Sequence, residues 1–422
     1  MKGKVLNEVK MILFTAVLGA IAGALVWGFL RLLTICTKAL WTDLPSKLDF
    51  NWYPLILCTA GGLIIGIMHH FFGDYPEELP VVMGKIKKTG GYPYKNMLIL
   101  LIMAFLPLLF AGSVGPEAGL TGIIAGLCSW VGDNIKYAQK EKNRYSEIGE
   151  AITLGVIFHA PLFGIVAVDE PGTGEEREKG TIPKPLKLVL YGIAIGAAFG
   201  VIALLRHFFG AAAEGLPRLE FTAPAWQDYV LMLVYIPVGL LLFLFFEGCE
   251  WIAKKLASII PAIPRGILCG VLIGFAGMYL PILLFSGEEQ MGELSVGFGA
   301  YAPLFLIGIA LLKCLLTTCS IQFGFRGGHF FPLIFACVCG GFGVCMLIFG
   351  DSASSHVVFA AAVVTAATLG AQMKKPVAVM MLLMLMFPVR MLLPILLAAA
   401  LGGIVGGRIS QEEVADTAEN VS

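Results

Sequence analysis

The chain is poor in charged residues. Only 14% of its 422 residues are charged and 58% are hydrophobic, whereas a soluble domain carries roughly 25% charged residues. The 29 basic residues equal the 29 acidic ones, so no net charge favours nucleic acid as a partner. A transmembrane helix needs about 20 apolar residues, and apolar runs of that order recur along the chain. The composition excludes a water-soluble protein and predicts an all-α protein that crosses a membrane many times.

Signatures of a metal, a cofactor or a catalytic centre are also missing. The ten cysteines form no Cys-x-x-Cys pair and no cysteine–histidine cluster with zinc spacing. No Gly-x-Ser-x-Gly elbow is present, and His69-His70 lacks the Glu and the second His of a zinc protease. The sequence therefore predicts no metal site, no cofactor and no enzymatic activity.

Glycine and proline interrupt several apolar runs, most clearly at Gly112–Pro116 and Gly327–Pro332. Non-helical backbone at membrane depth is tolerated only where it is buried in protein or lines a water-filled cavity. Farther along, the segment Phe158–Ile165 is echoed by Met373–Val379. Paired breaks in the two halves of a chain indicate an inverted-repeat transporter whose site lies near the membrane midplane.

The repeat also predicts the domain organisation. We expect one transmembrane domain over residues 1–422, with inverted halves at about 11–210 and 225–407 and a short acidic tail at 408–422. Lysine and arginine cluster in four connecting segments, and the positive-inside rule places these in the cytoplasm together with both termini. The predicted location is the plasma membrane. These basic segments are residues 85–95, 136–144, 179–187 and 254–265.

Three segments share one design, a glycine-containing loop followed by proline where a helix would begin. Proline suits the first helical position because its missing N–H would be unpaired there. The neighbouring N–H groups point along the helix axis, and the helix dipole adds about half a positive charge. Several such ends that converge in a membrane would bind an anion without a buried Lys or Arg. The segments are Gly73–Pro76, Gly112–Pro116 and Gly328–Pro332.

This pattern resembles the chloride channel (CLC) family of anion channels and proton-coupled anion exchangers. The family signature Gly-Arg-Glu-Gly-Pro is similar to Gly112–Pro116, and Gly-x-Phe-x-Pro is matched by Gly328–Pro332. The family sequence Asn-Ala-Pro-Leu-x-Gly is similar to His159–Gly164, and order and spacing fit over residues 10–407. The resemblance is to a divergent, bacterial-type member without C-terminal regulatory domains. It implies a CLC-like inverted repeat of tilted and broken helices.

The resemblance also implies partners and a site. The expected substrate is chloride or a similar monovalent anion, and the expected assembly is a homodimer in membrane lipid with one pore per subunit. Backbone N–H groups in the three motifs would bind the anion. The residues carried over to this site are Gly73, Asp74, Ser113, Val114, Gly115, His329 and Phe330.

Several side chains that the family uses are replaced in this sequence. Alignment on Pro76 puts Gly73 at the serine of the family's first signature, and the gating glutamate falls at Val114. The C-terminal coordinating tyrosine has no counterpart in residues 402–410, and the inner proton-transfer glutamate aligns with Pro171. Because valine can neither compete with an anion nor take up a proton, the sequence predicts passive, channel-type anion conduction.

Four alternatives stay open at this point. A proton-coupled antiporter could use a relocated proton site at Glu117 or at Glu170, although a glutamate after Pro116 also suits the helix dipole. A fluoride-type transporter is the second alternative. An intramembrane enzyme built on Glu117, His329 and Ser113 is the third, and a scaffold that retains the fold without transport is the fourth.

Overall fold

A computed structural model describes most of the chain, and almost all of it is helical. It describes residues 2–48, 50–78, 81–82, 84–85, 91–134, 142–172, 184–212, 215–220 and 223–419. Parts of three predicted basic segments, residues 86–90, 136–141 and 179–183, lie outside these residues. The helices are α1 (Lys2–Lys38), α2 (Pro45–Leu48), α3 (Tyr53–Phe72), α4 (Met97–Leu109), α5 (Glu117–Asn134), α6 (Lys142–Ile157), α7 (Pro161–Asp169), α8 (Lys184–Phe209), α9 (Trp226–Ile259), α10 (Ala262–Tyr279), α11 (Glu288–Gly297), α12 (Pro303–Gln322), α13 (Phe330–Phe349), α14 (Val357–Met373), α15 (Pro376–Leu383) and α16 (Leu392–Glu419).

The prediction of an all-α, multi-pass membrane protein is confirmed. Within the described residues, β pairing is limited to one isolated bridge between Gly115 and Gly328. Eight helices there are long and apolar enough to cross a membrane, while α4, α5 and α14 are shorter apolar helices. The eight segments are Lys10–Leu48, Tyr53–Phe72, Leu186–Phe209, Trp226–Ile259, Ala262–Tyr279, Pro303–Gln322, Phe330–Ser355 and Val389–Ile409.

The two predicted breaks are turns between consecutive helices. Residues 110–116 separate α4 from α5, and residues 323–329 separate α12 from α13. Helix α5 begins at Glu117, one residue later than the motif predicts, whereas α13 begins at Phe330 and Pro332 is its third residue. Pro332 still lies in the first turn, where helical N–H groups lack a partner within the helix.

Small residues allow helices of the two predicted halves to pack closely. Helices α3 and α10 contact each other along glycine-bearing faces. A Cβ atom built on Gly62 would lie 2.2 Å from the Gly266 carbonyl oxygen, and one on Gly270 would lie 2.2 Å from the Cys58 carbonyl oxygen. Backbones of membrane helices approach this closely only where side chains are small.

The two echoed segments have similar local backbones. His159 and Lys374 both adopt the left-handed region, with φ of 53° and 57°. Two residues later, Pro161 and Pro376 start the short helices α7 and α15, which contact each other. Helices α13 and α14 are buried along most of their length. The bundle therefore encloses the turn that precedes α13.

Candidate anion-binding site

Two of the glycine-containing motifs meet through their backbones. The Gly115 N–H donates to the Gly328 carbonyl oxygen at 2.8 Å, and the Gly328 N–H donates to the Gly115 carbonyl oxygen at 2.8 Å. Glycine permits this approach because it has no Cβ atom. The N-termini of α5 and α13 are thereby brought together inside the bundle.

The Glu117 carboxylate occupies the space between these two N-termini. Its Oε1 accepts a 3.1 Å hydrogen bond from the Phe331 N–H, and the side chain is 1% exposed. Its Oε2 is buried without a hydrogen-bond partner in the described part of the chain. A Cβ atom built on Gly115 or Gly328 would lie 2.0 Å or 1.8 Å from this Oε2. The two glycines and the first turn of α13 thus form a cradle that holds a carboxylate.

The N–H groups of the predicted site fall into two sets. Those of Gly73, Val114 and Gly115 already donate to the carbonyl oxygens of His69, Gly112 and Gly328 at 3.0, 2.8 and 2.8 Å. The second set has no hydrogen-bond acceptor among the described residues, so it is the set that can bind an anion in this arrangement. Its members are the N–H groups of Asp74, Ser113, His329 and Phe330.

Ser113 and Val114 of the second motif are buried, and Ser113 has the one polar side chain of the motif. Ser113 Oγ and Thr317 Oγ1 lie 2.9 Å apart, and both residues are buried. Two hydroxyl groups that share one hydrogen bond keep one further O–H proton for another acceptor. Val114 is fully buried, and a Cβ atom on Gly327 would lie 2.7 Å from its side chain. The position at which the resemblance predicts the gate therefore has a packed hydrocarbon side chain.

The first motif, Gly73–Pro76, lies in a cluster of charged side chains around Asp74. Asp74 Oδ1 lies 3.1 Å from His69 Nδ1 and 3.1 Å from an Arg265 guanidinium nitrogen, and Asp74 Oδ2 lies 2.9 Å from Arg326. The hydrogen bond from His69 and the nearby charges of Arg326 and Arg265 hold the pKa of Asp74 well below its usual range. His69 Nε2 also lies 2.8 Å from the Gly324 carbonyl oxygen. These contacts fasten the end of α3 to the turn before α13.

Lys313 is buried within α12 and points away from bulk water. Its ammonium donates to the carbonyl oxygens of Leu283, Leu284 and Phe285, at 2.9, 3.4 and 2.6 Å. The Phe285 N–H in turn donates to the Ala111 carbonyl oxygen at 3.3 Å. Lys313 therefore positions the segment that supports the start of the second motif.

Two other side chains named in the sequence analysis, those of His329 and Glu170, have different environments. His329 is buried, stacks on Phe330 with ring centroids 4.6 Å apart, and leaves Nε2 without a hydrogen-bond partner in the described structure. Glu170 Oε1 and Oε2 accept from the N–H groups of Val377 and Ala378 at 2.9 and 2.6 Å. Glu170 therefore caps the N-terminus of α15, whereas Glu117 reaches the predicted anion site.

Sequence reasoning missed four contributors to this region: Thr317, Phe331, Arg265 and Arg326. Phe331 lies within the third motif, Arg265 ends a basic segment, and Arg326 lies two residues before Gly328 in an otherwise apolar stretch. Nothing in the local sequence shows which distant residue each of them contacts.

Known proteins provide an independent comparison. The sequence profile described as "Voltage gated chloride channel" matches residues 61–407. The "Putative ion-transport protein YfeO" of Escherichia coli O17:K52:H18 is 22% identical over 329 residues, covering 74% of this chain and 73% of that protein. The protein of the same name from Salmonella paratyphi A is 20% identical over 337 residues, with 76% of each chain covered.

Solved structures share the fold at low sequence identity. A CLC-type fluoride/proton antiporter superposes with a TM-score of 0.72 at 18% identity, covering 94% of this chain and 95% of that one. A slow cyanobacterial Cl⁻/H⁺ antiporter gives a TM-score of 0.76 at 18% identity, with 94% of both chains covered. A eukaryotic CLC transporter gives 0.72 at 15% identity, covering 97% of this chain and 73% of that one.

A multi-pass helical protein with paired helix N-termini around a buried cradle has the architecture of an anion transport protein. The chain belongs to the CLC family of voltage-gated chloride channels and related transporters. Members of this family transport anions, as channels or as antiporters, and are not enzymes. The predicted resemblance is confirmed.

Proposed function

We propose that the chain conducts a small monovalent anion such as chloride passively across the membrane. The carboxylate of Glu117 supports an anion site in the cradle between Gly115, Gly328 and Phe331, because a negative group of the protein itself is accommodated there. Within the part of the chain that the structure describes, the N–H groups of Ser113, His329 and Phe330 have no hydrogen-bond acceptor. A helix N-terminus favours negative charge through these N–H groups and its dipole.

The passive mechanism depends on Val114. This residue stands at the gating position implied by the family signature, and its hydrocarbon side chain is fully buried. A valine cannot exchange a proton with the passing anion. The absence of an acid at that position therefore favours conduction down the anion gradient.

Anion efflux from proteoliposomes is expected to proceed without stoichiometric proton movement. The measurement records chloride efflux with an electrode and external pH at the same time, with a protonophore present or absent. Liposomes without protein provide the background rate of anion leak. Proton uptake driven against its gradient by an anion gradient would contradict passive conduction, and efflux equal to the leak would contradict anion transport altogether.

Proton-coupled antiport is the second candidate, and the position of Glu117 is the observation that favours it. An ionisable side chain within the membrane is a functional-site hypothesis by default, and Oε2 of Glu117 has no hydrogen-bond partner among the described residues. If Glu117 carries the proton, Glu117→Gln would abolish proton movement and leave anion movement. If proton movement is absent in the wild-type protein, this candidate fails.

Replacement of Glu170 by Ala is expected to lower the free energy of unfolding by about 1–3 kcal/mol, because two N–H groups in the first turn of α15, one of them in the buried Ala378, lose a charged acceptor. The ratio of protons to anions is expected to be unchanged, since both Glu170 oxygens are committed to Val377 and Ala378. Thermal unfolding in detergent and paired flux measurements check both parts. A changed ratio would assign the proton site to Glu170.

The identity of the anion is tested by the same flux assay with chloride, bromide, nitrate and fluoride. We propose chloride-like selectivity, and a strong preference for fluoride would favour the fluoride-type alternative. We also propose the homodimeric assembly, the halves at 11–210 and 225–407, and the cytoplasmic placement of both termini. Cross-linking in native membranes tests the homodimer, and the accessibility of a cysteine introduced at each terminus tests the cytoplasmic placement.

A further inference from the structure

Two arginines share a single carboxylate at the end of α3. Asp74 Oδ1 lies 3.1 Å from Arg265, and Asp74 Oδ2 lies 2.9 Å from Arg326. His69 faces the same carboxylate through Nδ1 at 3.1 Å. Even with a neutral His69, two guanidinium charges face one carboxylate charge, and the cluster keeps one unbalanced positive charge.

The positive groups of this cluster are more buried than the negative one. The side chains of Arg265 and Arg326 are 12% and 20% exposed, whereas Asp74 is 47% exposed. The Nε atoms of both arginines are buried and have no hydrogen-bond partner in the described part of the chain. Burial of an unbalanced charge is costly, and the cost falls when an opposite charge binds. The cluster is therefore short of an anion.

Among the described residues, Asp74 is the one carboxylate that forms an ion pair with either arginine. Glu250 instead lies 2.5 Å from Lys254, and Glu77 pairs with Lys85. Guanidinium groups bind small anions through several N–H donors in a fixed fork. Asp74 shows this arrangement with a carboxylate, and it is the most exposed of the three side chains.

The position of the cluster connects it with the cradle. Arg326 lies two residues before Gly328, whose backbone pairs with Gly115. The Asp74 N–H has no hydrogen-bond acceptor among the described residues. An anion held by the arginines would thus lie beside the turn that leads to the first turn of α13. A positive mouth of this kind raises the local anion concentration.

We propose that Arg265 and Arg326 form an anion-binding site at the mouth of the pathway, where a monovalent anion is held before it reaches the cradle, and that Asp74 weakens this site by competing with the anion. The inference rests on the proposed anion transport. The alternative is a purely structural clamp, in which the three side chains only fasten α3 to the turn before α13.

The mouth site and the structural clamp predict different effects of Asp74→Asn on the half-saturating anion concentration. For a mouth site, loss of the negative charge of Asp74 lowers the half-saturating anion concentration by about threefold to tenfold, as expected for one charge at short range near a protein surface. Arg326→Gln and Arg265→Gln raise it by a similar factor, and Arg326→Lys restores most of the loss. For a clamp, all of these substitutions lower thermal stability and none lowers the half-saturating concentration.

The experiment measures chloride flux in proteoliposomes as a function of chloride concentration, together with thermal unfolding of each variant in detergent. Lys255→Gln is the matched control, because it removes one positive charge from an exposed side chain that lies over Trp251, outside the cluster. Its half-saturating concentration is expected to equal that of the wild type. A wild-type protein without flux would refute the proposed function. Wild-type flux with an unchanged or raised half-saturating concentration in Asp74→Asn would refute the mouth site, even if the arginine variants fail to fold.

Discussion

Replacement of Glu117 by Gln is expected to raise anion flux at low anion concentration by about tenfold or more. The carboxylate accepts the Phe331 N–H at 3.1 Å and occupies the cradle that a permeating anion would use. Glutamine has the same size and can still accept this hydrogen bond, but it lacks the competing charge. Its amide NH₂ group would also place a donor where Oε2 has no hydrogen-bond partner among the residues that the structure describes. Loss of one charge-assisted interaction of about 1.5–3 kcal/mol corresponds to a tenfold or larger change.

Glu77 provides the matched control for this substitution. It follows Pro76 as Glu117 follows Pro116, but its carboxylate pairs with Lys85 and lies 3.3 Å from the Tyr92 hydroxyl. We expect Glu77→Gln to leave the concentration dependence of flux unchanged. If Glu117→Gln has the wild-type concentration dependence and only a lower thermal stability, Glu117 is a helix-capping residue and not a competitor for the anion.

Replacement of Gly115 by Ala is expected to lower the free energy of unfolding by about 1–3 kcal/mol, the usual cost of overpacking a buried site. The new Cβ atom would lie 2.0 Å from Glu117 Oε2 and 2.6 Å from its carboxyl carbon. Either the carboxylate leaves the cradle or the bridge to Gly328 opens. Anion flux is expected to change together with stability, because both events alter the cradle.

A double-mutant cycle with Glu117→Ala isolates this contact. Removal of the carboxylate removes the three atoms nearest to the new Cβ, so the two substitutions should couple by about 2 kcal/mol. Gly126→Ala is the control in the same helix, since its nearest neighbour would lie at an ordinary 3.5 Å. Alanine favours a helix relative to glycine, so that variant should be as stable as the wild type or more stable. Additive effects of Gly115→Ala and Glu117→Ala would contradict the cradle geometry.

Much of the fold could be predicted from local sequence. Long apolar runs predict membrane helices because unpaired backbone groups are too costly in lipid, and the turns at Gly112–Pro116 and Gly327–Pro332 follow from the residues that occupy them. Glu117 was identifiable as a functional hypothesis because it is an acid within an apolar stretch. Its hydrogen-bond partner was not, since Phe331 lies 214 residues farther along the chain.

The sequence by itself determined that this protein is a helical membrane protein, where its helices break, and which motifs place N–H groups at those breaks. These properties depend on hydropathy, on glycine and proline, and on helix polarity, all of which are local. Only the tertiary structure decided that Gly115 pairs with Gly328, that the Glu117 carboxylate fills the cradle between them, and that Arg265 and Arg326 share Asp74. These contacts join segments that are far apart in the chain, and packing of the bundle alone brings them together.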